Sequence, residues 1–243
     1  MKKIDITSNI KPKKNTDLNI LTSGALAAPL FEILKSYKKN KTIKLFFGSS
    51  FGNAKNSVPT RLKQKQVFDI IFLSADAYDQ FKEKKLIKLY TKVDVVDSEI
   101  GFVVKKNNKV IYNYNPFQFV QLIKQSKKIA IAASASGIYL KQKIFPKLKV
   151  NNYHVIKGKR IASVIAEDKT FDLGFQQYSE LLPYENKVNL VGTLPTQLKK
   201  RFIFSLIYQM QNKKISKIDQ FLSFLKTKKV SSIIKKKGLT PLI

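Results

Sequence analysis

The chain has 243 residues, of which 44% are hydrophobic, so it is long enough for one large or two small domains with a real core. It contains no cysteine and only one histidine, His154, which excludes a disulfide framework, a thiolate nucleophile, a cysteine metal site and a His–His zinc site. The net charge is +30, but only three of the 46 basic residues are arginine, the main base-reading residue, so we expect nonspecific nucleic-acid binding at low salt only.

Residues 1–16 are polar, contain Pro12 and several lysines, and are predicted to form a flexible N-terminal arm. Met-Lys-Lys supplies the charged start of a signal peptide, but no apolar stretch follows it, so we predict no signal peptide. No apolar run in the chain approaches the length of a membrane span.

Two predicted strands in the first half are each followed by a turn of small polar residues. Leu18–Leu21 leads into a turn that holds Ser23 and Gly24, and a helix then runs to about Lys39. Ile43–Phe47 leads into Gly48-Ser49-Ser50-Phe51-Gly52. Such turns combine hydroxyl groups with flexible backbone at the end of a strand.

The next elements continue an alternation of helix and strand. Pro59–Lys65 is predicted as a short helix that carries Arg61, and the almost continuously apolar Phe68–Ser74 as a parallel strand buried on both faces. Asp76 then caps a helix over Ala77–Lys84. This order predicts a parallel sheet with helices on both sides.

The pattern changes near residue 93, where two strands, Val93–Val96 and Ile100–Val104, follow each other with no helix between them. Gly101 is the predicted point at which the chain leaves a first lobe. Val188–Val191 and Phe202–Tyr208 are predicted strands that bring it back.

The stretch Ile129–Phe145 shows most clearly the same pattern of a strand followed by a turn of small polar residues and a helix. It comprises a short apolar strand, the loop Ser134–Gly137, and the start of a helix. A helix N-terminus has N–H groups without intrahelical partners and a positive dipole end, so it can receive a small anion. The alternative is that Ser136 simply caps its own helix. Gln176 and Gln177 follow another predicted strand, Phe171–Phe175, and supply both donors and acceptors.

The strand-end segments together resemble the type II periplasmic solute-binding proteins of ABC transporters, in the branch of the molybdate-binding proteins. The segments that carry the resemblance, in chain order, are LTSGAL from Leu21, GSSFG from Gly48, DIIFLSAD from Asp69, SASGIY from Ser134 and LGFQQYSE from Leu173. The resemblance implies an α/β fold of two lobes, each a mostly parallel sheet flanked by helices, with two hinge crossings and a solute held in the cleft between the lobes. It places residues 17–99 and 203–243 in lobe 1 and residues 100–202 in lobe 2.

The implied ligand is a small anion, either an oxyanion or a di- or tricarboxylate. The Ser49-Ser50 pair matches the molybdate binders, whereas Ala25 and Gln177 stand where they have serine and tyrosine. Gln176, Gln177 and the two-pronged Arg61 would suit a carboxylate. The candidate ligand-binding residues are Ser23, Gly24, Ser49, Ser50, Arg61, Ser134, Ser136, Gln176 and Gln177.

Aconitate isomerase also resembles this branch, which implies a second hypothesis: an enzyme that interconverts cis- and trans-aconitate by proton transfer. Such a reaction needs a general base and donors for the developing negative charge. The candidate bases are Tyr139, Glu180 and Asp76, for which the plain alternatives are a core residue, a surface residue and a helix cap.

The resemblance implies no cofactor and no metal. It implies a monomer in the periplasm that passes its solute to an ABC transporter permease if it is exported, and the missing signal peptide leaves a cytoplasmic location open.

Overall fold

The computed structural model describes residues 3–7, 12, 16–38 and 42–243. Its strands are β1 (Lys3–Thr7), β2 (Leu18–Thr22), β3 (Thr42–Phe47), β4 (Ile70–Ser74), β5 (Tyr90–Ser98), β6 (Ile100–Lys105), β7 (Ile129–Ala132), β8 (Tyr153–Ile156), β9 (Leu173–Gln177), β10 (Val188–Thr193), β11 (Phe202–Gln209) and β12 (Thr240–Pro241). Its α-helices are α1 (Gly24–Ser36), α2 (Val58–Lys63), α3 (Ala75–Glu83), α4 (Pro116–Gln125), α5 (Ala135–Tyr139), α6 (Phe145–Leu148), α7 (Ile161–Glu167), α8 (Tyr178–Leu181), α9 (Ile215–Leu225) and α10 (Lys228–Lys236). A π-helical turn, Leu140–Ile144, connects α5 to α6 without a break.

The chain divides into two compact units. Unit 1 comprises the residues up to Asp97 together with Phe202–Ile243, and unit 2 comprises Ser98–Arg201. The chain therefore passes from unit 1 to unit 2 after β5 and returns before β11. Each unit is a mixed sheet flanked by helices, which confirms the α/β fold class predicted from the sequence.

The sheet of unit 1 has the strand order β1-β3-β2-β4-β11-β5-β12. The pairs β1–β3, β3–β2 and β2–β4 are parallel, and β11 runs antiparallel to β4. Buried side chains of the sheet and of α2 and α3 form a core on one face, with Phe46, Ile71 and Phe81 among them. Tyr37 after α1 packs edge-on against Phe221 of α9, with ring centroids 5.2 Å apart.

Within the predicted loose arm of residues 1–16, the described residues 3–7 form strand β1. Residues 3–7 pair in parallel with β3, from Lys3 opposite Thr42 to Thr7 opposite Phe46. The parallel partner lies far along the chain, so the local composition of the segment could not reveal it. Residues 1–2, 8–11 and 13–15 of the predicted arm lie outside the described residues.

Asp17 fastens the start of β2 to its surroundings. Its carboxylate accepts hydrogen bonds from Lys217 Nζ at 2.5 Å and from the Thr42 backbone N–H at 2.8 Å. The bond from Lys217, followed by the bond from Thr42, holds the pKa of Asp17 well below its usual range. A depressed carboxyl pKa stabilises the fold above the unfolded pKa, and this contribution is lost as the pH falls through the folded value.

We therefore expect Asp17→Asn to lower the free energy of unfolding by about 1–2 kcal/mol at neutral pH, as for the loss of hydrogen bonds to a charged group. The difference in the free energy of unfolding between Asp17→Asn and the wild type should become smaller below about pH 4, near the aspartate pKa of the unfolded chain. Below this pH the wild type begins to lose the stabilisation that its ionised Asp17 provides. Urea unfolding at pH 7 and pH 3 measures both values. A difference that is the same at both pH values would contradict the ionic origin.

The sheet of unit 2 has the order β10-β6-β9-β7-β8, with β7 parallel to β8 and to β9, and with β6 antiparallel to β9 and β10. Helix α7 covers one face, where Ile161 and Ile165 lie against the sheet. The other face carries an aromatic cluster in which Phe102, Phe119 and Phe145 surround Phe175, with ring centroids between 5.6 and 6.1 Å from it. These two faces determine which strand-end side chains can meet.

Candidate functional site

Three neighbouring parallel strands of unit 1 end at one edge of the sheet, in the order β3, β2, β4. Backbone hydrogen bonds hold the loops after them together: Gly48 N–H donates to Thr22 C=O at 3.0 Å, and Ser23 N–H donates to Phe72 C=O at 3.2 Å. A Cβ on Gly48 would lie 2.0 Å from the Asn56 carbonyl oxygen, so only glycine fits this approach. The strand-end serines of unit 1 are thus brought to one place.

Ser23 is the most distinctive of these serines. It precedes the 13-residue helix α1 at the N-cap position, yet its side chain makes no capping hydrogen bond. The residue is 5% exposed, and its Oγ has no hydrogen-bond partner among the described residues. An N-cap serine normally accepts a bond from the first turn, and a buried unpaired hydroxyl is costly. The hydroxyl is therefore available to a group that joins it from outside the protein.

Ser50 and Ser74 link the loops after β3 and β4. Ser50 Oγ accepts the Ser74 N–H at 3.2 Å, and Ser74 Oγ accepts the Ala77 N–H at 3.3 Å. Ser74 is therefore the N-cap of α3, and the prediction that Asp76 caps this helix was wrong; Asp76 lies exposed in its first turn. Ser49 is exposed, and its Oγ accepts the Phe51 N–H at 3.3 Å.

Arg61 does not take the position expected for a ligand-binding arginine. It is 3% exposed, its Nε donates to Asn56 C=O at 3.2 Å, and its terminal nitrogen donates to Gln66 Oε1 at 2.8 Å. The guanidinium also lies 5.7 and 5.8 Å from the ring centroids of Phe46 and Phe68. Arg61 therefore packs α2 and the following loop onto the sheet, and we remove it from the candidate ligand set.

Unit 2 repeats the strand-end arrangement after β7. Ser134 is the N-cap residue of α5, and its Oγ lies 3.1 Å from Ser136 Oγ, so the two hydroxyls bond to each other. Ser136 is fully buried and, contrary to the simple alternative, sits inside the first turn rather than at the cap. A Cβ on Gly137 would lie 1.8 Å from the Ala132 carbonyl oxygen, so the small residue lets the helix start close to its strand.

Gln176 and Gln177 belong to the end of β9 rather than to a loop after it, which corrects the predicted strand end. Because side chains alternate along a strand, the two amides point to opposite faces of the sheet. Gly174 faces Ile161 and Ile165 of α7, and Gln176 shares that face. Phe175 lies in the aromatic cluster on the other face, and Gln177 shares its side.

The amide of Gln176 is already engaged on the α7 face. Its Oε1 accepts the Ile161 N–H at 3.0 Å, and its side chain hydrogen-bonds the carboxylate of Glu180. Glu180 also pairs with Arg160, the residue before α7. These bonds fasten α7 to β9 and α8, so they assign Gln176 to the structure of the unit, and we remove it from the ligand set as well.

The amide of Gln177, on the opposite face, has one end engaged and one end open. Its Oε1 accepts the Ser98 hydroxyl at 2.7 Å, whereas its Nε2 is buried and has no partner among the described residues. The residue is 3% exposed. Since β9 is parallel to β7, Gln177 lies at the edge of the sheet from which the Ser134–Gly137 loop starts. This is the second buried donor without an acceptor at a strand end.

The three candidate bases differ sharply in environment. Burial raises the pKa of Glu180, while Arg160 and Gln176 oppose this by stabilising its carboxylate. The Tyr139 hydroxyl donates to Leu198 C=O at 3.1 Å. Asp76 is exposed, and Glu180 is the candidate whose carboxyl group is buried, but its carboxylate is paired with Arg160.

Two polar residues that the sequence did not single out prove important. Ser74 was predicted only as the last residue of a strand, and Ser98 was passed over between two strands. For Ser74 the available signal was a serine at the last position of an otherwise apolar strand, because strand ends of an α/β sheet carry the binding loops. The strand that ends at Ser98 is largely polar and gave no such signal.

Two α/β units joined by two chain crossings are the architecture of the type II solute-binding proteins. The chain belongs to the family of bacterial extracellular solute-binding proteins, whose family model matches residues 18–240. The resemblance found in the sequence is confirmed. Among the described residues, no helix is long and apolar enough to cross a membrane.

Several characterised proteins are similar to this chain. Aconitate isomerase of a Pseudomonas species is 26% identical over 233 residues, which cover 93% of this chain and 88% of that protein. The periplasmic molybdate-binding protein of Azotobacter vinelandii is 13% identical with a TM-score of 0.66, covering 92% of this chain and 98% of its own. Peb3 from Campylobacter jejuni is 16% identical with a TM-score of 0.68, and the match covers 92% of this chain and 99% of Peb3. PEB3 has also been solved with L-phospholactate bound.

Proposed function

We propose that this solute-binding protein captures a small anion, an oxyanion or a di- or tricarboxylate, and that hydrogen-bond donors at the strand ends bind it. The observation that carries the proposal is the pair of buried, unpartnered donors at strand ends, Ser23 Oγ and Gln177 Nε2, found among the described residues. The ligands named for similar proteins, molybdate and L-phospholactate, are anions and support the same class.

Buried donors without partners favour a ligand that is rich in hydrogen-bond acceptors. A buried donor left unsatisfied costs about 1–3 kcal/mol, and a bond to a charged acceptor contributes about 1.5–3 kcal/mol. An anion that satisfies several such donors can reach micromolar affinity, about −8 kcal/mol, after the costs of ordering. The donors are neutral hydroxyls, an amide and the N-terminal end of α1, so they suit an anion without requiring an arginine.

The revised ligand set follows from the contacts above. We retain the candidates whose side chains or backbone lie at the strand ends and drop the two that are engaged elsewhere. The retained residues are Ser23, Gly24, Ser49, Ser50, Ser134, Ser136 and Gln177. As a binding protein of this family, the molecule would work outside the cytoplasm and pass its solute to an ABC transporter permease.

Thermal unfolding with and without candidate ligands tests the proposal. The panel is molybdate, tungstate, sulfate, phosphate, citrate, cis-aconitate and trans-aconitate, each at matched ionic strength because the net charge of +30 makes the protein sensitive to salt. A specific ligand at a hundred times its dissociation constant adds about 2.7 kcal/mol of stability. Stabilisation should weaken in Ser23→Ala and persist in Ser223→Ala, which removes a serine hydroxyl that bonds only its own helix in unit 1. Equal, nonspecific effects of all seven anions would contradict the proposal.

A second candidate function is an aconitate isomerase, favoured by the 26% identical relative that covers 93% of this chain. The reaction would take a proton from the carbon next to the carboxylate-bearing double bond, shift the double bond, and return the proton at the other end of the allylic system. Glu180 is the candidate base because its carboxyl group is buried with a raised pKa.

Incubation with trans-aconitate separates the two functions. Proton NMR would show cis-aconitate, and in deuterated water a new C–D bond, if the protein is the isomerase. The same protein that binds trans-aconitate without turnover would be a binding protein only. Glu180→Gln should abolish turnover and leave binding in place if Glu180 is the base.

A further inference from the structure

We propose that Ser98 is a positioning residue: it holds the amide of Gln177 so that the N–H₂ end faces the ligand, and it thereby selects a ligand group that accepts hydrogen bonds. This inference rests on the proposed function, because it concerns the anion site. It adds a residue outside the candidate set and explains why the ligand group at this point is a hydrogen-bond acceptor.

The geometry places Ser98 where it can have this role. It is the last residue of β5, is 1% exposed, and donates its hydroxyl proton to Gln177 Oε1 at 2.7 Å. The next residue, Glu99, accepts the Tyr178 N–H at 2.9 Å, and Ile100 then pairs with Gln177 in the sheet. The segment 98–100 therefore fixes both the backbone and the side chain of Gln177.

The amide of a glutamine can present either of two opposite chemistries. Its Oε1 end accepts hydrogen bonds and its Nε2 end donates two, and a half-turn of the amide exchanges them. With Oε1 bound by Ser98, the end left open is the donor, and it is buried with no partner in the described part of unit 2. An acceptor oxygen of the ligand satisfies this end, and a carboxylate or oxyanion oxygen does so most strongly, whereas a ligand group that can only donate would bring a donor against a donor.

Among the described residues, the Ser98 hydroxyl is the recorded hydrogen-bond partner of the Gln177 amide, so the orientation of the amide depends on this hydroxyl. Gln176 is held by a backbone N–H and by Glu180, but on the other face of the sheet. Without the Ser98 hydroxyl, the Gln177 amide can turn and offer Oε1 to the ligand for part of the time. The affinity for an anion then falls, although every group that touches the ligand is still present.

The experiment measures dissociation constants for molybdate and trans-aconitate by calorimetry in a double-mutant cycle. We expect Ser98→Ala to weaken the tighter of the two probes about five- to tenfold, and Ser98→Thr, which keeps the hydroxyl, to stay within about twofold of the wild type. Ser126→Ala is the matched control, since Ser126 is a buried serine of the same unit whose hydroxyl bonds Leu122 C=O at 2.8 Å. In a Gln177→Met background, Ser98→Ala should have no further effect, a result that a merely structural role of Ser98 would not produce.

A measurement on the wild-type protein covers the case in which Ser98→Ala does not fold. The side-chain amide signals of Gln177, assigned in ¹⁵N NMR spectra by their loss in Gln177→Met, should shift when the probe is added, and unchanged signals overturn the inference. Weaker binding by Gln177→Met with unchanged binding by Ser98→Ala overturns the role of Ser98 and leaves the proposed function standing. Failure of the wild type to bind any anion of the panel overturns the proposed function, and the inference with it.

Discussion

Gln177→Glu is expected to reduce anion affinity by at least about 100-fold. The substitution keeps the shape of the side chain and leaves an oxygen to accept the Ser98 hydroxyl bond, now 2.7 Å long, so the fold should survive. It replaces the buried donor Nε2 with a carboxylate oxygen and sets a negative charge against an anionic ligand. Like charges brought together cost several kcal/mol, and each 1.4 kcal/mol is a factor of ten in affinity.

The matched control for this substitution is Gln125→Glu. It makes the same change of charge in the same unit, at an exposed position near the end of α4. Both variants are titrated with the tightest-binding anion at pH 8, where a buried carboxyl is more fully ionised. We expect Gln125→Glu to bind within about twofold of the wild type. Retention of affinity by Gln177→Glu would remove this residue from the site and, with it, the main support for the proposed function.

The strands at the centre of each unit were predictable because a short local run of apolar residues is enough to indicate each of them. β4 and β7 are short, almost continuously apolar runs that end in serine or alanine, which is typical of parallel strands buried on both faces. Strands β10 and β11, through which the chain returns, were also predicted, although they run antiparallel to β6 and β4. The parallel partner of β1 could not be predicted, because an edge strand is defined by the strand it joins and not by its own sequence.

The serine-rich turns were also predictable, but the direction of each side chain was not. The predicted strand ended at Phe175 and placed both glutamines in a loop, where either could face a ligand. In the structure β9 continues to Gln177, and alternation along the strand sends Gln176 to α7 and Gln177 to the other face. A difference of two residues at the end of a strand thus separates a structural amide from a candidate ligand amide.

Arg61 was predicted as a ligand residue from its residue type. An arginine near a predicted anion site suggests a two-pronged donor, but Nε and one terminal nitrogen of this arginine donate to Asn56 and Gln66. The rings of Phe46 and Phe68 lie beside its guanidinium and come from other elements of unit 1. Burial among non-local partners decided the role, and no local pattern encodes it.

Arg160→Ala is expected to lower the free energy of unfolding by about 2–3 kcal/mol at neutral pH. It leaves the carboxylate of Glu180 buried with Gln176 but without its cation, and breaking a buried ion pair by removing one partner is strongly destabilising. The expected loss is smaller than for a fully buried pair because the side chain of Arg160 is 39% exposed, against 9% for Glu180.

The loss should shrink as the pH is lowered. Burial raises the pKa of Glu180, and removing Arg160 removes a group that opposes this rise. The folded variant then takes up a proton more readily than the unfolded chain, whose glutamate pKa is about 4.3. A raised folded pKa gives stability that is fully present below the unfolded pKa and is lost as the pH rises through the folded value. Arg160→Ala should therefore approach the wild type at pH 5 and fall furthest behind it at pH 7.5.

Urea unfolding at these two pH values measures the effect, and Arg160→Ala combined with Glu180→Gln is the control. A glutamine at position 180 is neutral, so removing Arg160 leaves no unpaired buried charge, and its amide can still bond Gln176. The double variant should therefore recover most of the stability lost at pH 7.5. Its stability should also lose the pH dependence that the single variant shows. A loss in Arg160→Ala that is the same at both pH values, and that Glu180→Gln does not relieve, would mean that the arginine acts through the packing of its apolar stem.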